Sequence, residues 1–310
     1  MQASRGWGRS RWGPTLLFIS AEQYHVEVDR TDHNNPHTIA LDMVGRGQRV
    51  LEVGCAAGHV TRHLVADGNH VVGVEIDPDA AERARAFAER VHALDLDVDT
   101  VSSVEDGPFD VAVLGDVLEH LRRPDDALRD IVGLLADDGR LVISVPNVAH
   151  VDVRLHLLEG RWEYQADGLL DATHLRWFTR AGLRALLTDV GFVASELRPV
   201  VQPRGASLLP STPGLIGSDI VRFVESDPDA RVYQFVVTAV RADGYDGPDA
   251  LGPVERSWPD LDAERDALDS RITALAEERD ALRNEVEAWR RSRVVRMTEP
   301  VHRLLTRFRR

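Results

Sequence analysis

Residues 49–83 read RVLEVGCAAGHVTRHLVADGNHVVGVEIDPDAAER, and this stretch decides the fold. Val50–Val53 is short and mostly apolar, the composition of a strand buried on both faces of a parallel sheet. Gly54 and Gly58 bracket a tight turn in which a side chain would hold a ligand off the backbone. A helix expected over 59–66 would offer unpaired N–H groups and the positive end of its dipole to that ligand. Val71–Val74 supplies a second strand, and Glu75 at its carboxyl end can accept from both hydroxyls of a ribose. Together these residues predict a site for an adenosine-containing molecule at the carboxyl edge of a parallel sheet.

The turn itself separates the adenosine cofactors. Dinucleotide folds use G-x-G-x-x-G, because a pyrophosphate lies against the helix end. Here the pattern is Glu52-x-Gly54-x-Ala56-x-Gly58, which resembles the first motif of class I S-adenosylmethionine-dependent methyltransferases. That resemblance places Glu52 beneath the methionine portion of the cofactor and Gly54 beside the methionine and ribose. Ala56 and Gly58 complete the turn, and Glu75, with Ile76 beside it, meets the ribose. In the segment ERVHALDLD, the same resemblance sets Asp95 on the adenine amino group and Leu96 against the ring.

The resemblance continues from Phe109 to Asn147, FDVAVLGDVLEHLRRPDDALRDIVGLLADDGRLVISVPN. Val111–Leu114 reads as the fourth strand, Pro124–Leu135 as a helix and Arg140–Val145 as the fifth strand, with a turn at Asp138-Gly139. In the family, Gly115 lies close to the methionine amine and Asp116 at the cofactor edge. Beyond it, Leu158–Thr179 resembles a segment that caps the site in a bacterial subgroup, through Asp171, Thr173, His174 and Arg176. A helix over Arg180–Val190 ends at Gly191. Phe192–Val200 and Arg231–Arg241 are the expected sixth and seventh strands, with a short helix possible within Gly214–Glu225. The likeness spans roughly Asn34 to Val240. It implies an α/β fold: a Rossmann-like seven-stranded sheet, parallel with an antiparallel last strand and flanked by helices.

Displacement of a methyl group by an alcohol needs an aligned nucleophile and a proton acceptor, for which histidine is suited near neutral pH. His120 follows the fourth strand, His150 the fifth, and His174 lies in the cap, so all three are placed at the carboxyl edge. His120 and His174 are the candidate catalytic residues, with Asp171 as a group that would orient His174 or fix the cap. Arg176 is a candidate for an acidic sugar or a phosphate, with a structural ion pair as the alternative. His59, His63 and His70 are expected on the surface. Asp116, Glu119, His120, Asp171 and His174 could surround a divalent cation, but their spacing does not demand one, and no metal is expected.

Composition narrows the possibilities. The chain has no lysine, which excludes Schiff-base chemistry on its own side chains. Its one cysteine, Cys55, excludes an internal disulfide and suits a small buried thiol in the turn. A formal charge of −14 argues against broad nucleic-acid binding. No segment reaches the roughly 20 apolar residues that span a bilayer. Residues 1–20 read as a disordered lead-in, 21–245 as the catalytic domain with its cap at about 150–180, and 246–259 as a linker.

The other end carries a different pattern. Leu261, Leu268, Leu275, Leu282 and Trp289 fall seven apart as d positions, with Trp258, Arg265, Ile272, Arg279 and Val286 as a positions. Residues 260–291 are therefore expected to form a coiled-coil helix, either in a parallel homodimer or folded back onto the domain. Residues 292–310 form a basic tail; from Arg290 to Arg310 there are eight arginines against one acid, Glu299. The run can lie on an anionic membrane surface, with a solvated basic tail, or one that neutralises the protein's own acidic surface, as the alternative. It also resembles the ending of bacterial glycosyltransferases and related surface-polysaccharide enzymes.

These readings lead to an enzyme that O-methylates a sugar of a bacterial surface glycan or its lipid- or nucleotide-linked precursor. S-adenosylmethionine is the cofactor, and the location is cytoplasmic or at the inner membrane face. The alternatives are a small-molecule O- or N-methyltransferase with a quinone-like or secondary-metabolite acceptor, or a non-catalytic platform recruiting glycan enzymes.

Overall fold

The computed structural model describes residues 28–101, 104, 106–209, 214–254 and 261–291. The expected lead-in at 1–20 and the tail at 292–310 lie outside them. The chain divides after Ser257 into two units.

The first unit is built on seven strands: β1 (Arg49–Val53), β2 (His70–Glu75), β3 (Arg90–Ala93), β4 (Phe109–Gly115), β5 (Leu135–Pro146), β6 (Phe192–Val201) and β7 (Val232–Arg241). Their order across the sheet is β3-β2-β1-β4-β5-β7-β6. Only β7 runs opposite to the rest, antiparallel to both β5 and β6. Strand order reverses between β1 and β4, which opens a crevice at their carboxyl ends.

Strand alternation divides the core in two. Val50, Val71, Val111, Val113 and Val142 face a cluster with Ile39, Leu41 and Val44 of α1 (Pro36–Val44) and Leu64 of α2 (Thr61–Ala66). Their neighbours Leu51, Val72, Ala112, Leu114, Leu141 and Ile143 face the opposite side. There they meet Leu128 and Ile131 of α4 (Pro124–Val132) and Leu183 and Leu187 of α6 (Arg180–Asp189). Asn35 caps α1 through His37 N and Thr38 N, and Asp77 caps α3 (Pro78–Ala84), each with proline at the first helical position. Two further helices, α5 (Val151–Leu158) and α7 (Ser218–Glu225), pack together through Val151, Leu155 and Val224.

Two boundaries differ from expectation. α4 stops at Val132, and Leu135 already pairs with Phe109 in the sheet. The predicted turn at Asp138-Gly139 is an irregularity inside β5, where the register against β4 shifts between Phe109 and Val111. A Cβ on Gly139 would lie 2.9 Å from both Leu135 Cβ and Phe109 O, so only glycine fits that fold-over.

The second unit contains α8 (Leu261–Arg291). Leu268, Ile272, Leu275, Leu282, Val286 and Trp289 are all exposed along it. No helix among the described residues is long and apolar enough to cross a membrane.

Candidate active site

A cavity of about 470 Å³ opens at the carboxyl edge, within the size range of small-molecule sites. The turn after β1 forms its rim. Gly54 has φ +72°, and a Cβ there would meet Val117 Cγ2 at 2.6 Å. Ala56 also adopts a left-handed conformation, φ +47°, and its N–H donates to Glu75 Oε2 at 2.8 Å. Glu75 Oε1 accepts from Asp77 N at 2.9 Å. One carboxylate thus joins the turn, the end of β2 and the cap of α3, and each oxygen retains a lone pair for a ligand.

Beneath the rim, Glu52 is 4% exposed and accepts from Thr61 Oγ1 at 2.6 Å. Burial raises its pKa to about 8, Thr61 opposes the shift, and the Glu75 charge adds to it. Cys55 is buried beside it, with its thiol pushed far upward by burial and the two carboxylates. Asp95, Leu96 and Ile76 line the cavity as expected, and Asp95 Oδ1 also accepts from Asp97 N. Gly58 does not line it. A Cβ there would strike the Phe87 ring at 2.7 Å and Ala84 Cα at 3.2 Å, so this glycine serves packing against α3.

At the end of β4, Asp116 sits at φ +54°, held by Ser144 and Gln234. Its Oδ1 accepts from Ser144 Oγ at 3.0 Å and Gln234 Nε2 at 2.9 Å. A 3-10 turn, Leu118–His120, then delivers two lining residues, Glu119 and His120. Glu119 is 1% exposed, and neither carboxylate oxygen has a hydrogen-bond partner. Burial, then the Asp116 and Asp171 charges, raise its pKa strongly. Its carbonyl accepts from Leu175 N and Arg176 N, which ties the cap segment to the sheet edge.

The cap brings His174 to His120, with ring centroids 4.9 Å apart and edge-to-face. Burial lowers the pKa of both rings, that of His174 to about 4 with the neighbouring His120 adding to the effect. Both imidazoles are therefore neutral at pH 7. Asp171 does turn toward the cavity, but its Oδ1 accepts from Thr173 N at 2.7 Å and Thr173 Oγ1 at 2.6 Å. Glu119, His120 and His174 each bring one ligand atom within 4.8 Å of the others, close enough for a divalent cation to be held among them.

Three other sequence expectations change. His150 is fully buried and outside the cavity; it caps α5 and its Nε2 contacts Gln202 O at 3.2 Å. Arg176 is bound to the Arg122 carbonyl, away from the cavity. His59, expected on the surface, lines the cavity because α2 begins only at Thr61. Sequence reasoning passed over Ser144 and Gln234 as cavity residues. The interruption of the apolar run of β7 by Gln234 was a usable signal.

The charge of the lining is one-sided. Eight carboxyl residues face the cavity: Glu52, Glu75, Asp95, Asp97, Asp116, Glu119, Asp167 and Asp171. None of the described lining residues is arginine. A sulfonium and an ammonium group are favoured by such a lining, even with Glu52 and Glu119 shifted toward their neutral forms. The residues thus fit S-adenosylmethionine.

The sequence model of a family described as a methyltransferase domain matches residues 24–197, more than half of the chain. A ubiquinone biosynthesis O-methyltransferase of Xanthomonas euvesicatoria is 29% identical over 168 residues, covering 48% of this chain and 67% of that protein. One from Xylella fastidiosa is 28% identical over 182 residues, covering 51% and 71%. Among solved structures, the 1,6-didemethyltoxoflavin-N1-methyltransferase of Burkholderia thailandensis shares 23% identity. It covers 67% of this chain and 77% of that one, with a TM-score of 0.44.

Proposed function

This chain belongs to the methyltransferase-domain family and is an S-adenosylmethionine-dependent methyltransferase; we propose that its acceptor is an uncharged hydroxyl of a small molecule. The observation that carries this reading is the cavity lining, which among its described residues brings eight carboxyl side chains and no arginine, beside the paired rings of His120 and His174. When bound, S-adenosylmethionine supplies a methyl group activated by its sulfonium. Gly54, Ala56 and Glu75 would hold the cofactor at the rim, with Glu52 below them and Asp95 and Leu96 toward its adenine. His120 takes the hydroxyl proton as the oxygen attacks, and His174, kept neutral beside it, adds no repelling charge. The cap excludes water over the reacting groups.

The same lining disfavours acceptors that bring phosphate into the cavity, nucleotide-linked sugars among them. An unphosphorylated sugar hydroxyl and a phenolic hydroxyl both satisfy it. The relatives named for O-methylation in ubiquinone biosynthesis are in keeping with a quinone-like small-molecule acceptor. The glycan reading rests on the cap resemblance and on a tail outside the described residues.

Transfer of tritiated methyl groups to catechol, hydroquinone, methyl glucoside and glucose 1-phosphate tests the proposal. The uncharged compounds should be methylated and the phosphate ester should not. Preference for the phosphate ester would overturn it. Replacing His120 with glutamine should lower turnover about 100-fold or more while leaving S-adenosylhomocysteine affinity unchanged.

A further inference from the structure

Five residues stand out in the sequence as possible holders of a divalent cation, and the fold divides them. Asp116 Oδ1 accepts from Ser144 Oγ and Gln234 Nε2, and Asp171 Oδ1 accepts from Thr173 N and Oγ1. Glu119, His120 and His174 instead converge, each bringing one ligand atom within 4.8 Å of the other two. All three line the cavity. Glu119 is 1% exposed, and neither carboxylate oxygen accepts a hydrogen bond from any other described residue. A carboxyl group buried without a partner is costly, and the described lining offers it no arginine; a bound cation accounts for its place. Two imidazoles and one carboxylate are the donor set of three-ligand zinc sites, which keep an open position, whereas magnesium and calcium take oxygen ligands. With bonds of about 2.0–2.1 Å, tetrahedral ligands stand about 3.3 Å apart, so side-chain torsions need to close the set by about 1.5 Å at most.

We propose that Glu119, His120 and His174 form a site for a transition-metal dication of the zinc class, and that the bound ion stops methyl transfer. The site stands on the convergence of the three side chains; its effect on transfer rests on the reading of His120 as the base. A neutral imidazole has a single nitrogen lone pair. Once that pair is given to the metal, none is left for the proton of the acceptor hydroxyl, so metal binding and transfer exclude one another. The ion also joins the 3-10 turn, through Glu119 and His120, to the cap, through His174. It thereby reinforces the bonds from Leu175 N and Arg176 N to the Glu119 carbonyl. The proposal departs from the sequence expectation of no metal, because the three residues meet only where the cap folds over the turn.

The test is calorimetric titration of the full chain, stripped with EDTA and dialysed, with zinc chloride and separately with magnesium chloride. Zinc should bind and raise the melting temperature, and magnesium should do neither. Glu119→Gln and His174→Gln should each weaken zinc binding about 100-fold or more, with S-adenosylhomocysteine affinity reporting that each variant is folded. Zinc affinity unchanged in both variants would put the ion elsewhere and overturn the site, as would equal affinity for magnesium. In transfer to hydroquinone, zinc should inhibit the wild type and EDTA should restore it. Transfer lost on stripping and regained with zinc would overturn the exclusion of one by the other. Full transfer by His120→Gln would instead remove the base reading, a result separate from the zinc titration of the wild type.

Discussion

Glu75 and Glu52 stand one above the other at the cofactor end of the cavity, and their environments give them opposite tasks. Glu75 accepts two backbone N–H bonds and remains open to a ligand. Replacing it with alanine should weaken S-adenosylhomocysteine binding about tenfold to 100-fold while the chain stays folded, as calorimetric titration and circular dichroism would show. Unchanged affinity would remove the ribose assignment. Glu52 has one hydroxyl partner and a folded pKa near 8, against 4.5 when exposed. Between those values the folded protein holds a proton that the unfolded chain releases, so Glu52 makes stability fall as pH rises from about 4.5 to 8. The whole effect is on the order of 5 kcal/mol. Glu52→Gln removes the titration, and its melting temperature should therefore overtake that of the wild type progressively from pH 5 to pH 8. Parallel melting curves across that range would contradict the assignment.

At the level of elements, Arg180 ties the start of α6 to the loop before β7. Arg180 makes a two-pronged contact with Asp229, with Nη2 to Oδ1 at 2.7 Å and Nε to Oδ2 at 2.8 Å. Its Nη1 donates to the Ala250 carbonyl, and its guanidinium lies 5.7 Å over the Phe235 ring. Asp229 is 3% exposed, so losing the arginine strands a buried charge. Arg180→Ala should destabilise the chain by about 3–5 kcal/mol in urea unfolding, and adding Asp229→Asn should recover part of that loss. If the double variant is no more stable than the single one, the pair is not what holds α6.

At the scale of the whole chain, the two units differ in kind. The first buries its apolar residues on both faces of one sheet; the helix of the second keeps its apolar stripe exposed. Arg265 and Arg279 interrupt the stripe at a positions, which weakens a parallel seam without abolishing it. Self-association through α8 is the expected outcome. Sedimentation should show a dimer for the full chain and a monomer for a chain ending at Ser257, with cofactor affinity the same in both. A monomeric full chain would remove the dimer from consideration.

The sequence by itself determined the sheet and the cofactor end of the site. Apolar runs at β1, β2, β4 and β5, the turn at Gly54 and the carboxylate at Glu75 are local features, legible because neighbours in the chain are neighbours in space. Helix ends were less legible. α4 yields to β5 at Leu135 because pairing with Phe109 outweighs helix propensity there. At the acceptor end, the sequence grouped Glu119, His120, Asp171 and His174, and only the tertiary structure decided how they meet. Glu119 and His120 lie more than 50 residues before Thr173 and His174, and only folding of the cap over the 3-10 turn brings them together. Whether a histidine there is a base, a cap or a packed ring depends on its desolvation and on which group meets each ring nitrogen. His120 and His150 look equivalent as sequence; the first opens on the cavity and the second is sealed beneath α5. Burial and hydrogen-bond direction are properties of the assembled protein, and no spacing along the chain encodes them.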